Sequence, residues 1–79
     1  MAKEVKLYSI PTCDICNQAR AYLKNKGIEY QDLDISSNNS ALQELKQITN
    51  RTQIPTIIID DTHVLVGFDS KQLDFLLSI

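Results

Sequence analysis

The feature that most constrains the fold is an uninterrupted apolar run, Ile57-Ile58-Ile59, in a chain of 79 residues. Successive side chains of a strand point to opposite faces, so this run predicts a central strand that is buried on both faces. A polar turn follows at Asp60-Asp61-Thr62, and His63–Val66 is a second short strand-forming run. The two runs are therefore predicted to form a hairpin inside a larger sheet.

The N-terminal half predicts a strand, a helix and a second strand. Residues Glu4–Ile10 alternate in polarity as a strand does, and Ile28–Ile35 alternate in the same way. Between them, apolar side chains recur at helical spacing from Cys13 to Lys26, and Gly27 suits a left-handed helix end. Strands joined by such a helix are expected to lie parallel, with a right-handed crossover.

Two further helices complete the pattern. One is expected to begin at a cap on Asn39 or Ser40 and to end at Asn50, and the other to begin at a cap on Ser70. Their predicted buried positions recur every three or four residues: Ala41, Leu42, Leu45, Ile48, Leu73, Leu76 and Leu77. The order β-α-β-α-β-β-α predicts an α/β fold, with a four-stranded mixed sheet, helices on both faces and a single domain over residues 1–79.

Charge and hydropathy exclude several classes of protein. A net charge of -2 and a sequence pI of about 5.1 argue against nucleic acid as the main partner, because phosphate binding needs a basic face. No apolar run approaches the roughly 20 residues of a membrane-spanning helix. The first ten residues lack the apolar block of a secretory signal, so we expect a cytoplasmic protein without a membrane partner.

The two cysteines lie three residues apart, in Cys13-Asp14-Ile15-Cys16, where the first strand ends and the first helix begins. One helical turn brings the second thiol back toward the first, so the pair can form a disulfide. Unpaired N–H groups and the dipole at a helix N terminus favour a thiolate, which predicts that Cys13 is the attacking nucleophile. Cys16 is predicted to be the more buried thiol, which resolves the mixed disulfide.

Two other interpretations of the cysteine pair are weaker. Such a pair is half of a zinc site, but zinc needs four ligands, and His63 is the sole remaining candidate outside the carboxylates. Two inert core cysteines are not expected in the first turn of a helix.

A proline at position 55 comes just before the apolar strand. Pro55 either begins this strand, where a missing N–H breaks no ladder, or forms a cis peptide bond. The second alternative would place the backbone of Ile54 beside the thiols, where its free edge groups could pair with an extended substrate.

Three segments together resemble a known family: YSIPTCDIC after the first strand, IPT before the third, and VGFD before the last helix. They resemble the glutaredoxin group, and most of all its short bacterial members, over roughly Val5 to Leu77. The resemblance implies a thioredoxin-like fold, a cis Pro55 and thiol–disulfide exchange at Cys13 and Cys16. It also implies a groove for a disulfide substrate or glutathione, lined by Thr12, Arg51, Ile54, Pro55, Gly67, Phe68 and Asp69.

Three of these groove residues have an alternative structural interpretation. Arg51 is equally well explained as a solvated loop charge. Phe68 is also a candidate core residue, and Asp69 a candidate cap of the last helix, a role compatible with ligand binding.

The sequence departs from the family's pattern at several of these positions. Asp14-Ile15 replaces the Pro-Tyr pair that is typical between the cysteines, and Ile10 replaces a Lys or Arg that would bind a glutathione carboxylate. Val66-Gly67 replaces a Gly-Gly pair, and Asp69-Ser70 replaces the Ser/Thr-Asp pair that grips the end of glutathione. Gln53-Ile54-Pro55 and Gly67-Phe68 resemble the branch that depends on thioredoxin reductase more than the branch that depends on glutathione.

We therefore expect a monomeric thiol–disulfide oxidoreductase that reduces protein disulfides or glutathione mixed disulfides. It would hold no permanently bound cofactor and would take electrons from glutathione or an NADPH-dependent thioredoxin reductase. Two alternatives stay open. One is an iron–sulfur cluster carrier in which Cys13 from each of two chains and outside thiols are the ligands. The other is a redox-sensing module whose oxidation changes a partner contact.

Overall fold

A four-stranded sheet forms the middle layer of the structure. The computed structural model describes residues 4–77, and its strands are β1 (Val5–Ser9), β2 (Gln31–Asp34), β3 (Thr56–Ile59) and β4 (His63–Val66). The helices are α1 (Asp14–Asn25), α2 (Asn39–Thr49) and α3 (Ser70–Leu77). The strand order is β2-β1-β3-β4, with β1 and β2 parallel and the other two pairs antiparallel. The predicted mixed sheet and element order are confirmed.

Each face of the sheet carries its own apolar core. On one face, α1 and α3 pack over the side chains of Val5, Leu7, Ile57 and Ile59. On the other face, α2 packs over Tyr8 and Ile58. The three isoleucines of β3 are at most 1% exposed, so the predicted burial of this strand on both faces is confirmed.

The turn between β3 and β4 uses two aspartates with left-handed backbones. Asp60 has a φ of 55° and Asp61 a φ of 59°, and the Thr62 N–H donates to the Ile59 carbonyl. Aspartate tolerates this region better than most residues, and positive φ at both central positions matches the twist of a hairpin. The predicted hairpin is confirmed, with His63 exposed at its tip.

The cap of α2 differs from the sequence prediction, and the cap of α3 is one of the two residues proposed for it. Asn38, rather than Asn39 or Ser40, caps α2, because its side-chain oxygen accepts the Ala41 N–H at 3.1 Å. At α3, Asp69 Oδ1 accepts the N–H groups of Lys71 and Gln72, so the predicted cap at Asp69 is confirmed, and Ser70 is the first helical residue and not the cap. The predicted end of α2 is confirmed, since Asn50 is left-handed with a φ of 57°.

The second strand is shorter than predicted, and one predicted buried residue is open to solvent. The Ile28 N–H donates to the Leu23 carbonyl, so this residue completes the end of α1 instead of beginning β2. At the other end, the Asp34 carboxylate accepts hydrogen bonds from Ser36 and forms a turn. In α2, Ile48 is 44% exposed, because the helix meets the sheet through Ala41 and Leu45.

Among the described residues, no helix combines the length and the apolar character that crossing a membrane requires.

The α2 layer rests on few buried side chains, so we expect it to be sensitive to truncation. Leu45 is fully buried, and Leu45→Ala should lower the free energy of unfolding by about 2–5 kcal/mol, through lost burial and a cavity. Urea unfolding followed by circular dichroism measures this change. Gln47→Ala, at an exposed position of the same helix, is the control and should stay within about 0.5 kcal/mol of the parent. Equal effects of the two variants would contradict this packing.

Candidate active site

Cys13 lies at the junction between the loop after β1 and the first turn of α1. It is the N-cap residue, with an extended backbone, and its sulfur accepts the Cys16 N–H at 3.1 Å. The thiol is half-buried, whereas Thr12 beside it is exposed. A sulfur in the N-cap position takes the place of the oxygen that usually accepts the first free N–H groups, and a negative charge is favourable there.

Cys16 has the opposite environment, although it is one helical turn away. Its side chain is fully buried. Burial, followed by the hydrogen bond with Cys13, raises the pKa of the Cys16 thiol to about 11. A backbone hydrogen bond from Ile10 and the positive charge of Arg20 act in the other direction and lower this pKa. Near neutral pH, Cys16 is therefore a protonated thiol.

The proline loop lies at the same edge of the sheet as Cys13. Tyr8, near the end of β1, is paired with Thr56, which begins β3, and Thr56 is paired with Val66, which ends β4. The loop after β1, the proline loop and the segment after β4 therefore leave the sheet side by side. This edge of the sheet therefore brings together Cys13, Ile54, Pro55 and Gly67, which come from distant parts of the sequence.

The Ile54–Pro55 peptide bond is cis. Pro55 is buried, and its carbonyl accepts the Gly67 N–H at 2.7 Å, which fixes the loop against the end of β4. Thr56 Oγ1 donates to the Gln53 carbonyl at 2.7 Å and closes the loop on its other side. Ile54, which precedes the proline, is half-buried.

The segment after β4 has a partly structural role. Gly67 has a φ of 88°, a region that favours glycine. Phe68 is partly buried against the α1–α3 core, with its ring 5.6 Å from the Tyr22 ring in an edge-on arrangement. Asp69 caps α3, as described above. Core packing and capping thus account for Phe68 and Asp69, and both roles leave the residues at the edge of the site.

Arg51 lies in the loop that leads from α2 to the proline. Its side chain is exposed, and its backbone N–H and carbonyl both bond to the Thr49 hydroxyl. This bonding orients the start of the loop and leaves the guanidinium in solvent.

A polar cluster behind the cysteines was missed at the sequence level. The Arg20 guanidinium donates to Asp32 Oδ2 at 2.7 Å, to the Ile10 carbonyl at 3.3 Å, and to the side-chain oxygens of Ser9 and Asn17. Ser9 is fully buried and donates in turn to Asp32 at 2.9 Å. The available signal was the spacing, since Arg20 comes four residues after Cys16 and shares its helix face.

Within residues 4–77, no group of three or more His, Cys, Asp or Glu side chains could hold a metal ion.

The fold and the site together define a class. A β2-β1-β3-β4 sheet, with a cysteine pair at a helix N terminus beside a cis-proline loop, is a thioredoxin-like fold with a dithiol site. The family model for glutaredoxin matches residues 5–64. The chain belongs to the glutaredoxin family. Members of this family are in general thiol–disulfide oxidoreductases, and both cysteines of the pair are present here.

Individual relatives agree with this assignment. The glutaredoxin-like 8.6 kDa protein in the rubredoxin operon of Clostridium pasteurianum is 32% identical over 73 residues, covering 92% of this chain and 96% of the relative. Glutaredoxin 3 of Escherichia coli (strain K12) is 37% identical over 60 residues, or 76% of this chain and 72% of the relative. The crystal structure of the thioredoxin-like protein BC3987 superposes with a TM-score of 0.85 at 27% identity, over 92% of this chain and 99% of that one.

The unequal environments of the two thiols predict selective alkylation of the reduced protein. At pH 8, the raised pKa of Cys16 keeps its thiol almost entirely protonated, and the side chain is also buried. Iodoacetamide should therefore modify Cys13 first, and labelling of Cys16 should rise only as the pH approaches 11. Peptide mass spectrometry locates the label, and Cys13→Ser is the control in which Cys16 is the sole target. Equal labelling of both cysteines at pH 8 would contradict the structure.

Proposed function

We propose that this protein reduces disulfides through a dithiol cycle, with Cys13 as the nucleophile and Cys16 as the resolving thiol. The observation that carries the proposal is the asymmetry of the pair. Cys13 is accessible and receives the Cys16 N–H at the helix N terminus, whereas Cys16 is fully buried.

In the first step, the Cys13 thiolate attacks one sulfur of the substrate disulfide. A Cys13–substrate bond forms, the substrate S–S bond breaks, and the second substrate sulfur leaves as a thiolate that takes a proton from water. In the second step, Cys16 loses its proton to water, its thiolate attacks Cys13 Sγ, the bond from Cys13 to the substrate sulfur breaks, and the substrate thiolate leaves and takes a proton from water. The substrate gains two electrons and the protein ends with a Cys13–Cys16 disulfide.

The edge that holds Cys13 also offers a place for the substrate. The groove consists of Thr12, Arg51, Ile54, Pro55, Gly67, Phe68 and Asp69. Ile54 precedes the cis proline and lies outside the β3 ladder, which begins at Thr56. An extended segment that carries a disulfide could therefore pair with the Ile54 backbone and present its sulfur to Cys13.

The source of electrons is the next part of the proposal. Ile10 offers no cation to a glutathione carboxylate, and Asp69 uses its carboxylate to cap α3. Among the seven groove residues, the exposed Arg51 is the one that carries a positive charge. This balance favours an NADPH-dependent thioredoxin reductase over glutathione as the reductant. We further propose a monomer that acts in the cytoplasm on disulfide-containing proteins, with no permanently bound cofactor, no nucleic-acid partner and no membrane partner.

An iron–sulfur cluster would need ligands from outside the chain, because the described residues contain no group of three potential metal ligands.

Substitution of each cysteine separates the two chemical steps. Cys13→Ser should abolish disulfide reduction, because Cys16 is buried and protonated near neutral pH. Cys16→Ser should still react with a protein disulfide, but should stop at a mixed disulfide with Cys13. NADPH consumption in a coupled assay measures turnover, and nonreducing gels with mass spectrometry detect the trapped species. Turnover by Cys13→Ser, or trapping through Cys16, would contradict the assignment.

The choice of reductant is tested by comparing two regenerating systems with the same disulfide substrate. One contains glutathione and glutathione reductase, and the other contains thioredoxin reductase, both with NADPH. We expect faster turnover with thioredoxin reductase, because Ile10 contributes no charge to glutathione binding.

Ile10→Lys is the matched variant for this comparison, since it restores a cation near Cys13. A new charge contact of up to about 1 kcal/mol should raise the glutathione-dependent kcat/KM by up to roughly fivefold. Turnover with thioredoxin reductase should change less. Faster turnover of the parent protein with glutathione would contradict the proposed reductant while leaving the dithiol cycle intact.

A further inference from the structure

Arg20 binds four different parts of the molecule at once. It contacts Asn17 on its own helix, Ile10 in the loop before that helix, and Ser9 and Asp32 on two neighbouring strands. Its side chain is only 20% exposed. Holding a long side chain in one geometry costs rotamer entropy, so an arginine with no role beyond the helix surface would stay mobile and more exposed than this.

The arrangement leads directly to the buried thiol. Arg20 lies one turn beyond Cys16 on the same face of α1. Its guanidinium donates a hydrogen bond to the Ile10 carbonyl at 3.3 Å. The backbone of Ile10 in turn forms a hydrogen bond with Cys16. Arg20 therefore acts on Cys16 in two ways: by its positive charge and, through the Ile10 carbonyl, by holding the residue whose backbone N–H bonds to the sulfur.

We propose that Arg20 is a positioning residue for the resolving step, which holds Ile10 and a positive charge beside Cys16 so that the buried thiol can attack the mixed disulfide. The proposal rests on the dithiol cycle proposed above and adds a residue to it. In this step the Cys16 thiol first loses its proton to water. Its electron pair then forms the bond to Cys13 Sγ, and the bond from Cys13 to the substrate sulfur breaks with that pair leaving on the substrate.

The need for such a residue follows from the forces on Cys16. Burial and the neighbouring Cys13 raise the pKa of Cys16, whereas Ile10 and Arg20 lower it. Once Cys13 is part of a mixed disulfide it carries no negative charge, so it no longer raises the pKa of Cys16. The contributions of Ile10 and Arg20 persist, and ionisation of Cys16 becomes easier at the stage when the cycle requires it.

Asp32 provides a matched test, because it forms the other half of the same ion pair. It is 40% exposed, lies on β2 and accepts from both Arg20 and Ser9. Loss of Asp32 removes a negative charge near the site and leaves Arg20 bound to Ile10, Ser9 and Asn17. Substitutions at the two ends of one ion pair should therefore have different effects on Cys16, although both break the same contact.

The experiment is stopped-flow reaction of the reduced protein with excess 5,5′-dithiobis(2-nitrobenzoate) across a range of pH. Attack by Cys13 releases one coloured thiolate at a rate that depends on reagent concentration. Attack by Cys16 releases the second at a rate that does not. Arg20→Gln should slow the second phase about tenfold at pH 7 and move its inflection up by about one pH unit, with the first phase unchanged. Arg20→Lys should recover part of the loss because it keeps the charge.

Asp32→Asn should leave the second phase unslowed, with its inflection at the same pH or lower. The proposal is overturned if Arg20→Gln has the parent's second phase, or if Asp32→Asn slows it as much as Arg20→Gln does, since both outcomes assign the ion pair a purely structural role.

Circular dichroism checks that each variant is folded. If Arg20→Gln does not fold, a slower second phase in Asp32→Asn still refutes the proposal, and an inflection at lower pH supports it. A parent protein that releases only one thiolate would refute the dithiol cycle itself, which distinguishes that failure from this one.

Discussion

The pairing of β3 with both β1 and β4 is the constraint on which the rest of the structure depends. Three consecutive isoleucines must be hidden on two faces, and a short chain can do this only by placing the strand inside the sheet and a helical layer on each side. The antiparallel pairing also sets the start of β3 beside the end of β1. The cysteine loop and the proline loop therefore meet at one edge, although some 40 residues separate them in the sequence.

The chemistry of the site depends on a difference between two identical groups. Cys13 and Cys16 share a helix turn, yet one caps the helix at the surface while the other is fully buried under it. Burial disfavours the charged form of a thiol, whereas the helix N terminus favours it. This difference in position is the basis of the proposed division into an attacking and a resolving thiol. At the buried sulfur, the Ile10 backbone and the positive charge of Arg20 oppose the effect of burial on the pKa of Cys16.

Much of this could be predicted because the responsible signals are local. Polarity alternation located the strands, helical spacing located the helices, and the CxxC spacing placed both thiols on one turn. The errors also have local causes. The segment before α2 contains five polar residues in succession, Ser36-Ser37-Asn38-Asn39-Ser40, and several of them could accept the first free N–H groups. The structure uses Asn38, whose side chain accepts the Ala41 N–H.

The sequence by itself determined the order of the elements, the burial of β3 and the position of the dithiol, because each depends on residues close together in the chain. Tertiary structure alone decided what surrounds the thiols. The Arg20 network joins α1 to β1 and β2, and the Pro55 carbonyl accepts the Gly67 N–H after β4. A side chain's partners across a sheet depend on register and on helix placement. These arise from the packing of all the elements at once, and no local pattern in the chain records them.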